Sequence, residues 1–210
     1  MENGKQPAII FDLGGVLIDW KREHLYRKMF AGDEAGMRFF LDEVCSLEWN
    51  AQMDAGYPFA KAIEERVAQF PEFEEYIRAY WTRWEEMVPG DLAGTVEILA
   101  DLRRQKYPLA VLSNWSTETH ARVYERFEFL HWFDEVVLSG QVKLIKPDPA
   151  IFHLVLSRLS RPAEECLFID DSAANIEAAS AVGIQAIQFT SPEQLRADLA
   201  ERGVKVNNAS

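Results

Sequence analysis

The sequence predicts an α/β fold in which a parallel sheet is covered by helices on both faces. From residue 89 onward, short apolar runs that suit buried strands alternate with longer stretches of helical periodicity. Repeated strand–helix units form parallel sheets, because each helix crosses over the sheet between two neighbouring strands. The stretch 20–88 instead shows helical periodicity and little strand signal. We therefore expect a helical insertion between the first strand and the rest of the sheet.

The first strand is the apolar run Ala8–Phe11, and the insertion follows soon after it. Within the insertion, apolar side chains recur at helical spacing in three groups: Phe40, Val44 and Leu47; Ala60, Ile63 and Val67; and Ile77, Trp81 and Trp84. The Pro89-Gly90 pair suits the hinge through which the chain returns to the sheet. These boundaries predict a core domain formed by 1–19 and 89–210 and an inserted helical domain formed by 20–88.

The remaining elements alternate along the chain between strands and helices. The predicted strands are Leu109–Leu112, Glu135–Leu138, Cys166–Ile169 and Gln185–Phe189. The predicted helices cover residues 91–106, 115–126, 148–159, 172–182 and 191–201. Asp91 and Asp148 are the N-caps expected for the first and third of these helices, and Gly183 suits the end of the fourth.

Charge and composition argue against several classes of function. With a formal net charge of −12, the chain lacks the positive surface that non-specific nucleic-acid binding needs. No run approaches the roughly 20 apolar residues of a membrane span, and residues 1–6 are too polar for a signal peptide. Cys45 and Cys166 suit small buried side chains in a reducing compartment. We expect a cytoplasmic protein, and the sequence does not define its oligomeric state.

Four polar segments lie at the ends of predicted strands or helices. They are Asp12-Leu13-Gly14-Gly15, Ser113-Asn114, Lys146-Pro147 and Asp170-Asp171. Each places a carboxylate, hydroxyl or ammonium group just beyond an apolar run, where an α/β sheet collects its ligand-binding groups. Together these groups could hold one dianionic phosphate and one hard metal ion.

The first segment offers a nucleophile beside two glycines. Gly14 and Gly15 allow tight turning, so that backbone N–H groups can face an anion next to the Asp12 carboxylate. Asp12 could attack phosphorus and become a phosphoaspartate, which divides one difficult step into two. Considered alone, an aspartate before glycines is also typical of a turn or a cap.

The second and third segments offer groups that bind anions. Ser113 and Asn114 place a hydroxyl and an amide beside a helix N-terminus, which favours an anion there. Lys146 could neutralise both a phosphate and the attacking carboxylate. The structural alternatives are a Ser-Asn pair that only begins a helix and a lysine that is a solvated surface charge.

The fourth segment places two carboxylates side by side after a strictly apolar run. Adjacent negative charges at a buried edge are costly unless a cation offsets them. Mg²⁺ suits Asp170 and Asp171 because it prefers hard oxygen ligands. Asn175 could donate hydrogen bonds to these carboxylates. The alternative is a helix-capping pair with no metal.

The four segments, in this order, resemble the motifs of the haloacid dehalogenase superfamily of aspartate-nucleophile hydrolases. The resemblance covers essentially the whole chain and is nearest to the phosphatase-like branch typified by α-glucose-1-phosphatase. It implies a Rossmann-like, doubly wound core and a helical cap domain formed by the insertion. It also implies a Mg²⁺ ion and a substrate pocket between core and cap, which Trp20, Trp49, Asn50, Tyr57 and Trp115 could line.

The resemblance assigns a role to each matching residue. Asp12 would be the nucleophile and a metal ligand, and Gly14 would offer its carbonyl oxygen to the metal. Asp171 matches the acidic metal ligand, while Asp170 would be a second or water-mediated one. Ser113 and Lys146 would hold the phosphoryl oxygens, and Asn114 and Gly15 are further candidates for phosphate binding from their residue types and positions.

One position departs from the pattern of the superfamily. Most of its phosphatases carry a second aspartate two positions after the nucleophile as general acid and base, and here that position is Gly14. Losing such a group costs ~10²–10⁴ in rate unless another side chain supplies the proton. Asp19, His24 and Asp54 are the candidates. The α-glucose-1-phosphatase-like branch shares this glycine.

These observations support three hypotheses. The first is a Mg²⁺-dependent phosphatase that hydrolyses a small phosphorylated metabolite, such as a sugar phosphate, through a phosphoaspartate on Asp12. The second is a 2-haloacid dehalogenase that uses the same aspartate to displace halide from carbon. The third is a non-catalytic protein that binds a phosphorylated ligand, a hypothesis motivated by Gly14.

Overall fold

Five parallel strands form one sheet in this computed structural model, which describes residues 6–206. In chain order they are β1 (Ala8–Phe11), β2 (Leu109–Ser113), β3 (Glu135–Leu138), β4 (Cys166–Asp170) and β5 (Gln185–Gln188). The spatial order is β3-β2-β1-β4-β5, so β1 lies in the middle between β2 and β4. This is the doubly wound arrangement of Rossmann-like folds, and the predicted α/β fold is confirmed.

The described residues between β1 and Val88 contain helices and no strand of the sheet. The α-helices there are α1 (Glu23–Phe30), α2 (Glu34–Phe39), α3 (Leu47–Asp54), α4 (Phe59–Gln69) and α5 (Glu74–Thr82). Buried aromatic rings hold them together: the ring centroid of Tyr26 lies 4.7 Å from that of Phe40 and 6.3 Å from that of Tyr80. We call residues 20–88 the helical insertion. The division of the chain into two domains stays a prediction, and the ends of the predicted core, 1–5 and 207–210, lie outside the described residues.

Helices cover both faces of the sheet. They are α6 (Ala93–Arg104), α7 (Thr117–Val123), α8 (Ser139–Val142), α9 (Pro149–Leu159), α10 (Ala173–Ala181) and α11 (Pro192–Glu201). Successive strand residues point to opposite faces: Ile10 packs in a cluster with residues of α9 and α10, and Ile9 packs in a cluster with residues of α6 and α11. Burial on both faces explains why the strands read as continuous apolar runs.

Two local predictions differ from the structure. Helix α6 begins at Ala93 with Leu92 as its N-cap, and the predicted N-cap Asp91 instead forms an isolated bridge with Ile18. Helix α7 begins at Thr117 and not at the predicted residue 115, because the hydroxyl of Ser116 caps it by accepting a hydrogen bond from the backbone N–H of Glu118, and it ends at Val123, before the predicted residue 126. No helix of the described chain has both the length and the apolar character needed to cross a membrane.

The register of the three central strands brings their carboxyl ends level. Phe11 pairs with Val111 of β2 and with Ile169 of β4. The polar residues that follow these strands, Asp12, Ser113 and Asp170, therefore meet at one edge of the sheet.

Candidate active site

Asp12 is buried at the end of β1 and fixed by its neighbours. Its Oδ1 atom accepts a hydrogen bond from the backbone N–H of Leu13 at 2.8 Å and lies 3.1 Å from Nζ of Lys146. Burial raises the pKa of Asp12 to about 7; the Lys146 ammonium and a hydrogen bond from Ser113 oppose the rise, and the Asp170 carboxylate adds to it. At this site the ionised form of Asp12 is therefore unfavourable unless a cation lies close to it.

Lys146 supplies the only ammonium group that the described structure places against Asp12 as an ion pair. Its buried Nζ donates to the Leu112 carbonyl at 2.9 Å and to Oδ2 of Asp170 at 2.6 Å, and it lies 3.1 Å from Asp12. These three partners occupy the three N–H groups of the ammonium. Burial alone would lower the pKa of Lys146, but the carboxylates of Asp12 and Asp170 reverse the effect and raise it.

Asn114 lines the cavity, but its amide group holds the backbone of Lys146. The Oδ1 atom accepts a hydrogen bond from the backbone N–H of Lys146 at 2.8 Å, and Nδ2 donates to the Lys146 carbonyl at 2.9 Å. The amide thereby joins two segments that lie far apart in the chain and positions the lysine. Phosphate binding by Asn114 stays a prediction.

Asp170 is fully buried and saturated with hydrogen bonds. Its Oδ1 atom accepts from the backbone N–H of Ser172 at 2.8 Å and from Nδ2 of Asn175 at 3.0 Å, while Oδ2 faces Lys146. The predicted hydrogen bond from Asn175 is present. Asp171 is exposed at the edge of the sheet, where partial burial of its carboxyl group and the neighbouring Asp170 carboxylate raise its pKa.

The two glycines after Asp12 differ in what surrounds them. Gly15 has a φ of +75°, its N–H donates to the Ile18 carbonyl at 2.9 Å, and a Cβ atom there would collide with the Asp171 carboxylate. Its N–H is therefore engaged within the turn and not directed at a phosphate as the sequence suggested. A Cβ atom on Gly14 would meet only Cβ of Trp20, at 3.8 Å.

The acidic residues at this edge form a group that we call the carboxylate cluster: Asp12, Asp170 and Asp171. One oxygen from each lies within 4.8 Å of the others. Opposite oxygen ligands of an octahedral Mg²⁺ ion are about 4 Å apart. When ionised, the three carboxylates carry three negative charges, and the Lys146 ammonium, which contacts Asp12 and Asp170, offsets one of them. The remaining two are the amount that one divalent cation offsets. The cluster fits a hard divalent cation in both spacing and charge.

A cavity of about 460 Å³ opens in front of Asp12. Its walls combine residues of the sheet edge with residues of the helical insertion: Asp12, Gly14, Gly15, Trp20, Lys21, Leu47, Asn50, Ala51, Asp54, Phe59, Trp84, Ser113, Asn114, Trp115, Thr119, Ile145, Asp171 and Ser172. Of the five residues suggested from the sequence, Trp20, Asn50 and Trp115 line it. Trp49 instead packs edge-on against Tyr80, with centroids 4.9 Å apart.

The fifth suggested residue, Tyr57, donates its hydroxyl to Glu65 at 2.8 Å and does not line the cavity. Sequence reasoning did not select Leu47, Phe59 or Trp84 for the cavity. Their helical spacing is the same as that of core residues, so no signal in the sequence separates the two roles.

Of the three candidate proton donors, Asp19 and His24 lie together, and Asp54 lies elsewhere. Asp19 lies 3.0 Å from Nε2 of His24 and 3.6 Å from Nζ of Lys21, and neither Asp19 nor His24 lines the cavity. Asp54, the last residue of α3, does line it. Of the three, the structure therefore brings only Asp54 to the cavity wall.

Comparison with known proteins finds relatives over most of the chain. The family model of haloacid dehalogenase-like hydrolases matches residues 7–183. A phosphorylated carbohydrates phosphatase of Thermotoga maritima is 26% identical over 181 residues, which cover 86% of this chain and 83% of that protein. A phosphoglycolate phosphatase of Pectobacterium atrosepticum is 30% identical over 128 residues, which cover 61% of this chain and 55% of that protein.

The fold is also found among solved structures. A HAD family enzyme of Bacteroides thetaiotaomicron, crystallised with magnesium and inorganic phosphate, superposes with a TM-score of 0.70 at 24% sequence identity. The match covers 89% of this chain and 96% of that one. At this level of identity the likeness supports the fold.

Proposed function

The chain belongs to the haloacid dehalogenase-like hydrolase family, and on that premise we propose that it is a Mg²⁺-dependent phosphatase that forms a phosphoaspartate on Asp12. Its substrate would be a small phosphorylated metabolite, with sugar phosphates as the first candidates. One observation carries the proposal: Asp12 and Asp171 line one cavity, while Asp12 also contacts the buried ammonium of Lys146 and belongs to the carboxylate cluster.

The side chains of the site support each part of phosphoryl transfer. Asp12 would attack phosphorus from a position that Leu13 and Lys146 fix by hydrogen bonding. Lys146 would offset charge on the attacking carboxylate and the phosphoryl group, while the hydroxyl of Ser113 would donate to a phosphoryl oxygen. Positioning and charge stabilisation of this kind account for most catalysis of phosphoryl transfer.

Asp12, Asp171 and the carbonyl oxygen of Gly14 would hold Mg²⁺ directly, and Asp170, whose carboxyl oxygens already accept from Lys146, Ser172 and Asn175, would reach it through a water molecule. When bound, this ion supplies positive charge next to the transferred phosphoryl group. Gly15 would leave the space that the Asp171 carboxylate needs, and Asn114 would keep Lys146 in place.

The cavity supports a small substrate. Its volume lies within the range of small-molecule sites, and Trp20, Phe59, Trp84 and Trp115 offer the apolar faces on which sugar rings pack. The names of the two phosphatase relatives agree with a phosphorylated substrate of this size. We further propose that the helical insertion acts as the cap over this cavity and that the protein works in the cytoplasm, where its two free, buried cysteines stay reduced.

A phosphate-release screen tests the proposed function. The purified protein is assayed on sugar phosphates, phosphoglycolate, nucleotides and p-nitrophenyl phosphate, with Mg²⁺ and with a chelator. We expect release that needs Mg²⁺ and disappears in Asp12→Asn. The matched control Asp42→Asn removes an exposed carboxylate of the helical insertion and leaves release unchanged. Full activity in chelator or in Asp12→Asn would overturn the proposal.

The same preparation decides between the other two hypotheses. Metal-independent halide release from 2-chloropropionate would identify a dehalogenase that uses Asp12. Binding of inorganic phosphate without phosphate release from any substrate would identify a non-catalytic member of the family.

A further inference from the structure

We propose that Asp54, on the helical insertion, is the general acid and base of this site: it protonates the leaving oxygen of the substrate and later activates the water. The inference rests on the proposed function and deepens it. Phosphoryl transfer to Asp12 expels an oxygen that needs a proton, and a positioned acid gives that proton far faster than water does. The question is which side chain of the cavity can supply it.

Few residues on the cavity wall carry a titratable side chain in the described part of the chain: Asp12, Lys21, Asp54 and Asp171. Asp12 is the nucleophile of the proposed function, and Asp171 belongs to the carboxylate cluster. The Lys21 side chain is 65% exposed, and its ammonium lies 3.6 Å from Asp19. Asp54 is therefore the remaining acidic residue of the cavity wall, and the proposed function gives it no other role.

Asp54 is held rigidly in front of the sheet edge. Its Oδ2 atom accepts a hydrogen bond from Nδ2 of Asn50 at 2.7 Å, and Oδ1 accepts one from the backbone N–H of Ser116 at 3.2 Å. Its carbonyl oxygen accepts a third from the hydroxyl of Ser139 at 2.6 Å. The last two donors belong to segments that follow β2 and β3, so these bonds fix Asp54 relative to the sheet. Each carboxyl oxygen retains a second lone pair that can carry a proton.

The surroundings keep a proton on this carboxyl group at neutral pH. Burial raises the pKa of Asp54 to about 8; the Ser116 N–H opposes the rise, the Asp12 carboxylate adds to it, and the Asn50 amide opposes it. The residue also ends α3, where the negative pole of the helix disfavours a carboxylate. The pKa therefore lies near the working pH, as a group that both gives and takes a proton requires.

Titratable groups of several neighbouring elements surround Asp54 and the loop after it. Asp12 at the end of β1 and Tyr80 of α5 interact electrostatically with its carboxyl group. Lys143, which follows α8, donates to the Gly56 carbonyl at 3.2 Å, and Glu118 of α7 accepts from the backbone N–H of Phe59 at 3.0 Å. Lys143 and Glu118 bind backbone atoms of the loop after Asp54, and no hydrogen bond or ion pair of the described residues joins either to its carboxyl group.

The proposed step balances in both halves. In the first half, Asp12 forms a bond to phosphorus, the bond from phosphorus to the leaving oxygen breaks with its electron pair on that oxygen, and Asp54 gives the oxygen its proton. The product is an alcohol, with Asp54 now a carboxylate. In the second half, water attacks phosphorus while Asp54 takes one of its protons, and the bond to Asp12 breaks. Inorganic phosphate, ionised Asp12 and protonated Asp54 result.

The experiment compares leaving groups of different basicity. An alkyl oxygen is a poor leaving group that needs protonation, whereas p-nitrophenolate leaves readily without it. We expect Asp54→Asn to lower kcat/KM by ~10²–10⁴ for an alkyl phosphate such as glycerol phosphate. The loss for p-nitrophenyl phosphate should be at least about tenfold smaller. In the wild type, kcat/KM for the alkyl phosphate should fall as the pH rises above about 8. The pH profile of Asp54→Asn should not show this alkaline limb.

Several results would overturn the assignment. Equal losses on both substrates would mean that Asp54 only supports the structure, and the same selective loss in Lys21→Gln instead of Asp54→Asn would assign the acid to Lys21. If Asp54→Asn does not fold by circular dichroism, the wild-type profile decides, because absence of the alkaline limb for glycerol phosphate overturns the proposal. An inactive wild type rejects the proposed function and this inference with it. An active wild type, an inactive Asp12→Asn and equal losses in Asp54→Asn reject this inference alone.

Discussion

Nζ of Lys146 lies 2.6 Å from Oδ2 of Asp170, and both side chains are completely buried. The same ammonium also contacts Asp12 at 3.1 Å, so one cation joins the proposed nucleophile to the carboxylate cluster. A buried ammonium is tolerated only where its hydrogen bonds and charge are matched, and here three acceptors match it. Residues from the ends of three segments thereby become one unit.

Replacing Lys146 should lower the free energy of unfolding more than replacing Asp170. Lys146→Met leaves two buried carboxylates facing each other without a cation, and breaking a buried pair in this way costs roughly 3–5 kcal/mol. Asp170→Asn should cost less, because Lys146 keeps Asp12 as a partner. Urea unfolding of the metal-free proteins measures both free energies of unfolding. Equal costs, or a Lys146→Met protein as stable as the wild type, would show that the ammonium is not the centre of the site.

Gly15→Ala should weaken the metal site selectively. The added Cβ collides with the Asp171 carboxylate, so this ligand must move. We expect the Mg²⁺ concentration that gives half-maximal activity to rise roughly 10–100-fold, as it does when the supports of a metal ligand are lost. Gly203→Ala is the matched control, because it has the same φ of +75° and no atom within 4 Å of the added Cβ. Both variants should lose about 1 kcal/mol of stability from backbone strain, and an unchanged Mg²⁺ requirement in Gly15→Ala would contradict the account.

The raised pKa of Asp54 predicts how stability depends on pH. The group binds its proton more tightly in the folded state, so its stabilising contribution is complete below the unfolded value of 3.8 and is lost as the pH rises through about 8. Between about pH 5 and pH 9, the wild type should therefore lose roughly 1–3 kcal/mol more stability than Asp54→Asn, after allowance for solvent screening. Urea midpoints at the two pH values test this. Parallel losses in the two proteins would show that Asp54 is ionised throughout.

Gly14→Asp should restore activity to Asp54→Asn. The space at Gly14 accepts a Cβ, since the nearest atom is Cβ of Trp20 at 3.8 Å. A carboxyl group at this position lines the same cavity and supplies a second source of the proton. We expect kcat/KM for glycerol phosphate to be at least about tenfold higher in the double variant than in Asp54→Asn. Gly14→Asn has the same shape and no acid, and equal recovery with it would mean that the side chain acts by packing.

The sequence located the sheet and the polar ends of its strands because both depend on local pattern. The runs Ala8–Phe11 and Cys166–Ile169 are apolar on both faces and are followed at once by aspartates, which marks the carboxyl edge. The site residues Asp12 and Asp170 therefore came together where the topology predicts. Their chemical roles, and the two-domain division, remain predictions.

Contacts between distant segments could not be predicted from the local sequence pattern. Asn114 binds the backbone of a residue 32 positions away, and Asp54 accepts from an N–H that is 62 positions away. Nothing in the local pattern separates Asp54 from Asp19, or Trp115, which lines the cavity, from Trp49, which packs in the core. Which of these residues lines the cavity depends on how the helical insertion packs against the sheet edge.

Trapping the phosphoenzyme tests the central claim most directly. The protein is mixed with Mg²⁺ and its best substrate from the screen, quenched in acid within the first turnover, digested and examined by mass spectrometry. The account predicts a phosphoryl group on the peptide that contains Asp12, sensitive to hydroxylamine and missing from Asp12→Asn. Turnover by the wild type with no phosphorylated peptide, together with undiminished turnover by Asp12→Asn, would contradict it.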